Sequence, residues 1–241
     1  DRRAMLQNVY GSRGILGTGP NAKSLGDTTV ALPQFDRARA AALLDSAGWT
    51  MGANGVRVKN GRPLSFRLAI PTSSAPRMRY GVLIQEQLRE LGVRVELDQS
   101  DFSAFMDRNM RGLYDAALQG RASDPGRTNM NQSWTTAGFP PLGQNWIRYS
   151  NPAINAIADS LTRTADADRA RQLKHRAYQL LTDEAVGVWL YDVLTVGGAH
   201  ERLRTEGMRV DAWWSGVADW WIPGNERIER DRIGLRPAAN P

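Results

Sequence analysis

The sequence predicts an α/β fold, a central and mostly parallel sheet covered by helices. Three observations carry this. Leu64, Phe66, Leu68 and Ile70 alternate with Ser65, Arg67 and Ala69, the period-2 pattern of a strand. Ile84, Leu88 and Leu91 then recur at helical spacing, giving one apolar face to a helix over 77–91 that Gly92 ends. Val93, Val95 and Leu97 alternate again. Strand, helix and strand within about 35 residues form a βαβ unit, which joins two parallel strands by a right-handed crossover.

The other elements follow in chain order. Residues 1–34 read as irregular, with many glycines and a Gly19-Pro20 breaker. In the segment 35–49, FDRARAAALLDSAGW, Asp36 can accept from the free N–H groups of the next turn. The helix after it is rich in Ala and Leu, Gly48 sits where a left-handed C-cap belongs, and Trp49 reads as core. Asn60-Gly61, flanked by Val56, Val58 and Leu64, is a hairpin signal. Asp101 caps a short helix carrying Phe102, Phe105 and Met106, which leads into a third strand over 113–118. Residues 119–150 have no periodicity, and so long a loop in a compact domain is functional or disordered. Asn151-Pro152 opens a helix with Ile154, Ile157, Ala158 and Leu161 on its buried face. A longer helix over 166–184 buries Ala170, Leu173, Ala177, Leu180 and Leu181, and is expected to pack on the sheet beside the helix over 77–91. Residues 186–196 are strand-like, and the tail holds Trp213, Trp214, Trp220 and Trp221.

Composition narrows the classes. A chain of 241 residues can bury one large core or two small ones, and 41% hydrophobic content is that of a globular protein. No apolar run approaches the roughly 20 residues of a membrane span. The opening DRRAMLQ has no apolar signal region; the resemblance given below implies that residue 1 is interior sequence, so the chain is expected to be a fragment whose targeting segment lies upstream. Cys is absent, which excludes disulfides and thiolate metal sites. The formal charge of +6 comes almost wholly from Arg; the only lysines are Lys23, Lys59 and Lys174. The arginines are interspersed with acids, as over 166–171, and form no basic block, so the pattern is a solvated surface and no nucleic-acid partner is expected. His175 and His200 have no metal-ligand spacing, no nucleophile elbow is present, and the glycines of 11–19 lead to no P-loop. No enzyme activity, metal or cofactor is therefore expected. An α/β hydrolase and a basic nucleic-acid-binding domain stand as the alternatives from other classes.

In an open parallel sheet, ligands bind beyond the carboxyl ends of the strands. That rule selects the loops 71–76, 98–101 and 119–150. The first offers Thr72, Ser73 and Ser74; the last offers Gln119, Arg121, Asp124, Trp134, Asn145 and Trp146. Polar groups with aromatic walls are what a small-ligand site requires.

Four segments, in order, carry a resemblance. Residues 35–49 resemble a "yDp-x-x-A-x-x-LL-x-x-AGW" pattern. Residues 54–68 resemble a "dG-x-x-x-x-x-G-x-P-L-x-F-x-L" hairpin. Residues 84–97 resemble "i-Q-E-Q-L-x-x-l-G-v-x-V-e-L", and 145–152 resemble "N-x-x-x-Y-S-N-P". All belong to the solute-binding proteins of ABC importers, in the dipeptide/oligopeptide family, family 5. The resemblance covers nearly the whole chain. It implies a type II periplasmic-binding-protein-like lobe, the C-terminal one, with 1–34 as an inter-lobe segment. The α/β ligand-binding lobe would take in 35–210, and a tail over 211–241 would return towards a missing N-terminal lobe. It implies a periplasmic or extracytoplasmic, membrane-anchored protein. Such a protein captures a peptide-like or other small polar solute between two lobes and delivers it to a membrane permease. Residues 1–34 and the tail after Trp213 would then pack less well than the middle, leaving some tail tryptophans exposed.

One departure bears on the ligand. In peptide-binding members the third strand is followed by Gly-Trp and then by an Asp that neutralises the peptide ammonium, three positions before an acid that precedes Pro. Here the acid-Pro pair is Asp124-Pro125, so the first Asp position falls on Arg121, and Leu118-Gln119-Gly120 lacks the Trp. A guanidinium repels an ammonium and suits a carboxylate or phosphate. The expected site is therefore Gln119, Arg121, Asp124, Trp134 and Asn145, holding an anionic or carbonyl-rich solute.

Overall fold

Helix α1 (Arg2–Tyr10) opens the chain, with Asp1 as its N-cap accepting from the Ala4 amide at 3.0 Å. The computed structural model describes residues 1–21, 23, 26–120, 130–194, 197–209 and 213–232. Strand β1 (Gly14–Leu16) follows α1 and pairs antiparallel with the distant β8 (Tyr191–Val193), Ile15 standing opposite Asp192. The irregular reading of 1–34 is thus corrected over its first half. Met5 and Val9 stand one turn apart on α1 and both enter the core, a short apolar face beneath the glycines that dominate the segment.

Helix α2 (Arg37–Ser46) has Asp36 as its N-cap, its carboxylate accepting from the Arg39 amide at 2.8 Å. Gly48 follows at φ +84°, in the left-handed region the sequence required. Trp49 is only half-buried and lies outside both cores. Strands β2 (Thr50–Met51), β3 (Arg57–Lys59) and β4 (Arg62–Pro63) form an antiparallel meander. Between β3 and β4, Asn60 and Gly61 take φ values of 52° and 74°, the two positive angles of a type I′ turn. Arg57 fixes this meander to its neighbours: it is buried, donates from Nε to the Leu91 carbonyl at 2.8 Å, and pairs with Asp45 at the end of α2.

The βαβ unit is present. Strand β5 (Ser65–Pro71), helix α3 (Ala75–Arg89) and strand β6 (Arg94–Ser100) follow in sequence. The two strands run parallel in register from Ser65 opposite Arg94 to Pro71 opposite Ser100. Asp101 caps α4 (Phe102–Arg111), accepting from the amides of Ser103 and Ala104 at 3.0 Å. Strand β7 (Ala116–Ala117) then pairs parallel with the other side of β5, so the order is β6-β5-β7. It is shorter than the expected 113–118. Leu113 still donates its amide to Arg108 as part of the α4 exit, and Gly112 takes the left-handed C-cap.

Three more helices follow: α5 (Met130–Trp134), α6 (Pro152–Arg163) and α7 (Ala167–Asp183). Two apolar cores result. Met5, Leu68, Ile70, Tyr80, Val93, Val95 and Leu118 join the sheet to α1 and α3. The second core is helical, built on Trp134, Ile154, Ile157, Leu173, Ala177 and Leu181. The expectation that the helix over 166–184 packs on the sheet is corrected: α7 packs on α6 and belongs to the helical core. Its apolar stripe is real, but a stripe specifies burial and not the partner.

The chain divides into two compact units after Leu194, where the expected lobe boundary was near 210. In the second unit, Arg204 and Trp221 form an isolated antiparallel bridge, and Arg202 pairs with Asp231. Trp213, Trp214 and Trp221 are each about half exposed, and Trp213 packs edge-on against Trp214 with ring centres 5.9 Å apart.

Candidate functional site

The three parallel strands end at one edge. Pro71 of β5 lies beside Ser100 of β6, and Ala69 of β5 lies beside Ala117 of β7. The Thr72 amide donates to the Ser100 carbonyl at 2.9 Å and folds the 72–74 turn over the strand ends. Thr72 and Ser73 are exposed, and Ser74 occupies the N-cap of α3 without capping it through its side chain. The carboxylates nearest this edge are engaged: Asp101 caps α4, and Asp98 receives Arg108 Nη1 on both oxygens at 2.8 and 2.7 Å.

On β7 the chain leaves through Leu118, whose amide donates to the Ala69 carbonyl at 2.9 Å and extends the ladder by one residue. Gln119 follows, half-buried, and donates its Nε2 to Oδ1 of Asn109 on α4. Asn109 is fully buried and donates in turn to the Phe105 carbonyl at 2.6 Å. This fixes the direction of the Gln119 amide and leaves its carbonyl oxygen free of any hydrogen bond within the described residues.

Arg77, which the sequence reading did not single out, completes the edge. It lies in the first turn of α3, and its guanidinium is laid against Gly120. A β-carbon on that glycine would overlap Nη2 and stand 3.4 Å from Cζ. Among the described residues no carboxylate pairs with Arg77. A cation in the first turn of a helix opposes the helix dipole, and α3 has no acidic residue there to offset it. That conflict was a readable signal: Pro76-Arg77 opens the helix directly after a strand.

Behind Arg77, three tyrosines pack together. Tyr80 stacks on Tyr191 with ring centres 4.6 Å apart, and Tyr10 lies 4.8 Å from Tyr191. Burial, with the neighbouring Tyr191, pushes the Tyr80 phenol up to about 12. Burial and the Tyr191 phenol also raise Tyr10, and Arg77 is close enough to oppose that rise. With both pushed up, the Tyr10 and Tyr80 phenols stay protonated at physiological pH and present no counter-charge to the guanidinium.

Of the five residues expected to form the site, the three that are described do not share one surface. Gln119 stands at the sheet edge. Arg121 and Asp124 lie outside the described residues. Trp134 is buried in the helical core, edge-on to Trp189 at 5.8 Å. Asn145 is fully buried. Its Nδ2 donates to the carbonyls of Thr135 and Tyr149 at 2.9 and 2.8 Å, and its Oδ1 accepts from the Tyr149 amide at 3.0 Å. All three of those bonds hold the 135–149 loop. A broad surface depression of about 570 Å³ lies elsewhere, lined by Met110, Arg111, Leu113, Pro140, Pro141 and Arg148. It sits where α4 ends, ahead of β7, at the opposite end of the sheet from the strand carboxyl ends, so the topology does not support it as the solute site. Among the described residues no group of three or more His, Asp or Glu could hold a metal ion, and no helix is long and apolar enough to cross a membrane.

Residues 1–140 match the middle region of the bacterial extracellular solute-binding proteins, family 5. The chain belongs to that family. Over 190 residues it is 26% identical to protein XP55 of Streptomyces lividans, a match that takes in 74% of this chain and 33% of XP55. The fold superimposes on the oligopeptide-binding protein AppA of Bacillus subtilis, solved with a nonapeptide, at a TM-score of 0.75. That match has 18% identity and covers 92% of this chain and 45% of AppA. It also superimposes on NikA of Brucella suis, solved with Fe(III)-EDTA, at a TM-score of 0.70 with 25% identity, covering 80% of this chain and 40% of NikA. The chain thus spans about a third of XP55 and under half of each solved relative. Family membership places it among the bacterial extracellular solute-binding proteins. Its α/β unit is a lobe of the periplasmic-binding-protein type.

Proposed function

We propose that this chain supplies one wall of the solute cleft of an ABC importer binding protein. It captures a peptide-like or other small polar solute against a second lobe and hands it to a membrane permease. The observation that carries the reading is the sheet edge. Three parallel strands end together beneath exposed hydroxyls, an oriented glutamine and a guanidinium with no carboxylate partner among the described residues, in a chain of this family. Closure of two lobes over such an edge removes water and strengthens each polar contact.

Arg121 and Asp124, two and five positions after Gln119, are proposed as solute contacts on the same wall. Trp134 and Asn145 are proposed to act on the solute only indirectly, through the loop they hold. The tail after 210, with its exposed tryptophans, is proposed to meet the second lobe, as is the segment 1–34 where it leaves α1. Calorimetry of the full-length protein against a mixed pool of short peptides tests the reading. Saturable binding that Arg121→Ala weakens, without loss of folded structure, supports it. Turnover of the peptides would sink it in favour of a hydrolase.

A further inference from the structure

Helix α4 carries more apolar surface than the sheet beneath it covers. Its buried residues are Phe105 and Asn109. Beside them Phe102, Met106 and Met110 recur every four residues along one stripe, and Leu113 continues the stripe past the C-cap. Phe102, Met110 and Leu113 are each about half exposed. Apolar residues exposed singly need no explanation, but a contiguous stripe marks an interaction surface. Met110 and Leu113 also line the depression of about 570 Å³, whose other apolar walls are Pro140 and Pro141. One end of α4 thus offers an aromatic knob and the other an apolar hollow. The charges divide in the same way. Asp101 stands at the N-terminal end as the cap, and Arg111 and Arg148 flank the hollow. Arg148 is held in place there, donating from Nη2 to the Met110 carbonyl at 3.1 Å. Asp107 meets Arg111 at 3.3 Å, an exposed contact that solvent screens. Such an element is complementary to a reversed copy of itself.

We propose that this stripe is a two-fold interface for a second copy of the chain, with the two α4 helices antiparallel and Met106 on the axis. A two-fold interface has to be self-complementary, because each patch meets its own copy. Pairing centred on Met106 sets Phe102 opposite Met110 of the partner subunit, at the mouth of the hollow. Both hollows are then filled, each by an aromatic anchor. The same pairing brings Asp101 to the end where the partner's Arg111 and Arg148 stand, and it sets the two helix dipoles antiparallel. A parallel pairing would crowd the cations of both copies together and leave both hollows empty. The methionines at the centre are flexible enough to let the two surfaces adjust. Two such patches bury on the order of 1,000 Å² in all, the lower end of a specific interface, so the association is weak and depends on protein concentration. The assignment does not depend on which solute the protein carries.

The test is sedimentation equilibrium of the full-length protein from about 1 to about 200 μM. Wild type should move reversibly between monomer and dimer mass. Phe102→Glu removes the knob but puts an acid in the first turn of α4, where the helix dipole favours it. It should weaken the dimer by about ten-fold or more with the melting temperature kept. Met106→Cys places a thiol on the axis of a segment that has no cysteine of its own. Oxidised glutathione should link this variant into a disulfide dimer, whereas Val82→Cys, exposed on α3, should stay unlinked. A wild type that is monomeric throughout the range, a dimer that Phe102→Glu leaves unchanged, or equal linking of the two cysteine variants would overturn the assignment. So would a Met106→Cys thiol closed to maleimide in dilute full-length protein, which would show that the second lobe covers this face.

Discussion

Replacing Asn145 by Ala separates a structural from a ligand-binding role for this residue. Its amide makes three hydrogen bonds at 2.8–3.0 Å, all within the 135–149 loop, and no part of it is exposed. Removing the amide deletes three bonds worth roughly 1 kcal/mol each net, and strands buried partners whose desolvation adds about 1–3 kcal/mol. The expected loss is about 4–6 kcal/mol, a large share of a typical stability of 5–15 kcal/mol. With a urea slope of about 1–3 kcal/mol/M, the midpoint should fall by more than about 1 M. Trp134 sits in the adjoining core, so tryptophan fluorescence follows the transition. Asn145→Asp keeps the acceptor and loses both donors. It places a carboxylate against two carbonyl oxygens and should be no more stable than Asn145→Ala. A midpoint unchanged in Asn145→Ala, with solute affinity lost, would refute the structural reasoning and restore Asn145 to the cleft wall.

Two further outcomes follow from local geometry. Gly81→Ala should destabilise by about 1–2 kcal/mol, because a β-carbon there overlaps Cδ1 of the fully buried Ile70; the overpacking outweighs the gain of roughly 1 kcal/mol in helix propensity. An unchanged or raised melting temperature would show that Ile70 can move aside freely. Asp27 ties the chain before α2 to α7 by accepting from Thr29 and meeting His175 Nδ1 at 2.7 Å. Burial pushes its carboxyl up, but the Thr29 and His175 hydrogen bonds outweigh it, so the net position is below the ordinary 3.8. A depressed carboxyl adds stability that is complete above the unfolded value and lost as pH falls through the folded one. Hydrogen exchange around 26–30 should therefore be slow at neutral pH and speed up only below about pH 4, and Asp27→Asn should remove that acid step.

The elements that proved legible are those whose signal is local. The Asp36, Asp101 and Asn151 caps, the Asn60-Gly61 turn and the βαβ unit each depend on residues within a few positions of one another. What was not legible depends on distant partners. Helix α7 has the apolar stripe of a sheet-covering helix, yet its partners are α6 and Trp134, and nothing in its own sequence distinguishes the two environments. Strand β1 is three residues long and exists because β8, late in the chain, pairs with it. Glycines flank it on both sides, so local reading sees only a loop.

The site was harder to read than the fold for a physical reason. A long segment without regular structure leaves backbone groups that neither helix nor strand satisfies, and buried side chains must supply their partners. Asn145 does that with its amide, and Trp134 fills the core the loop covers. Amides and aromatic rings are also what a small-ligand pocket needs, so composition alone cannot separate support from contact. The separating quantity is whether hydrogen-bonding capacity is already used within the chain. Asn145 has all its donors engaged, whereas among the described residues Gln119 retains an acceptor and Arg77 meets no acid. Residual capacity at the carboxyl edge of the sheet therefore sets Gln119 and Arg77 apart from Asn145, with Arg77 an unfavourable charge kept beside a glycine in the first turn of α3.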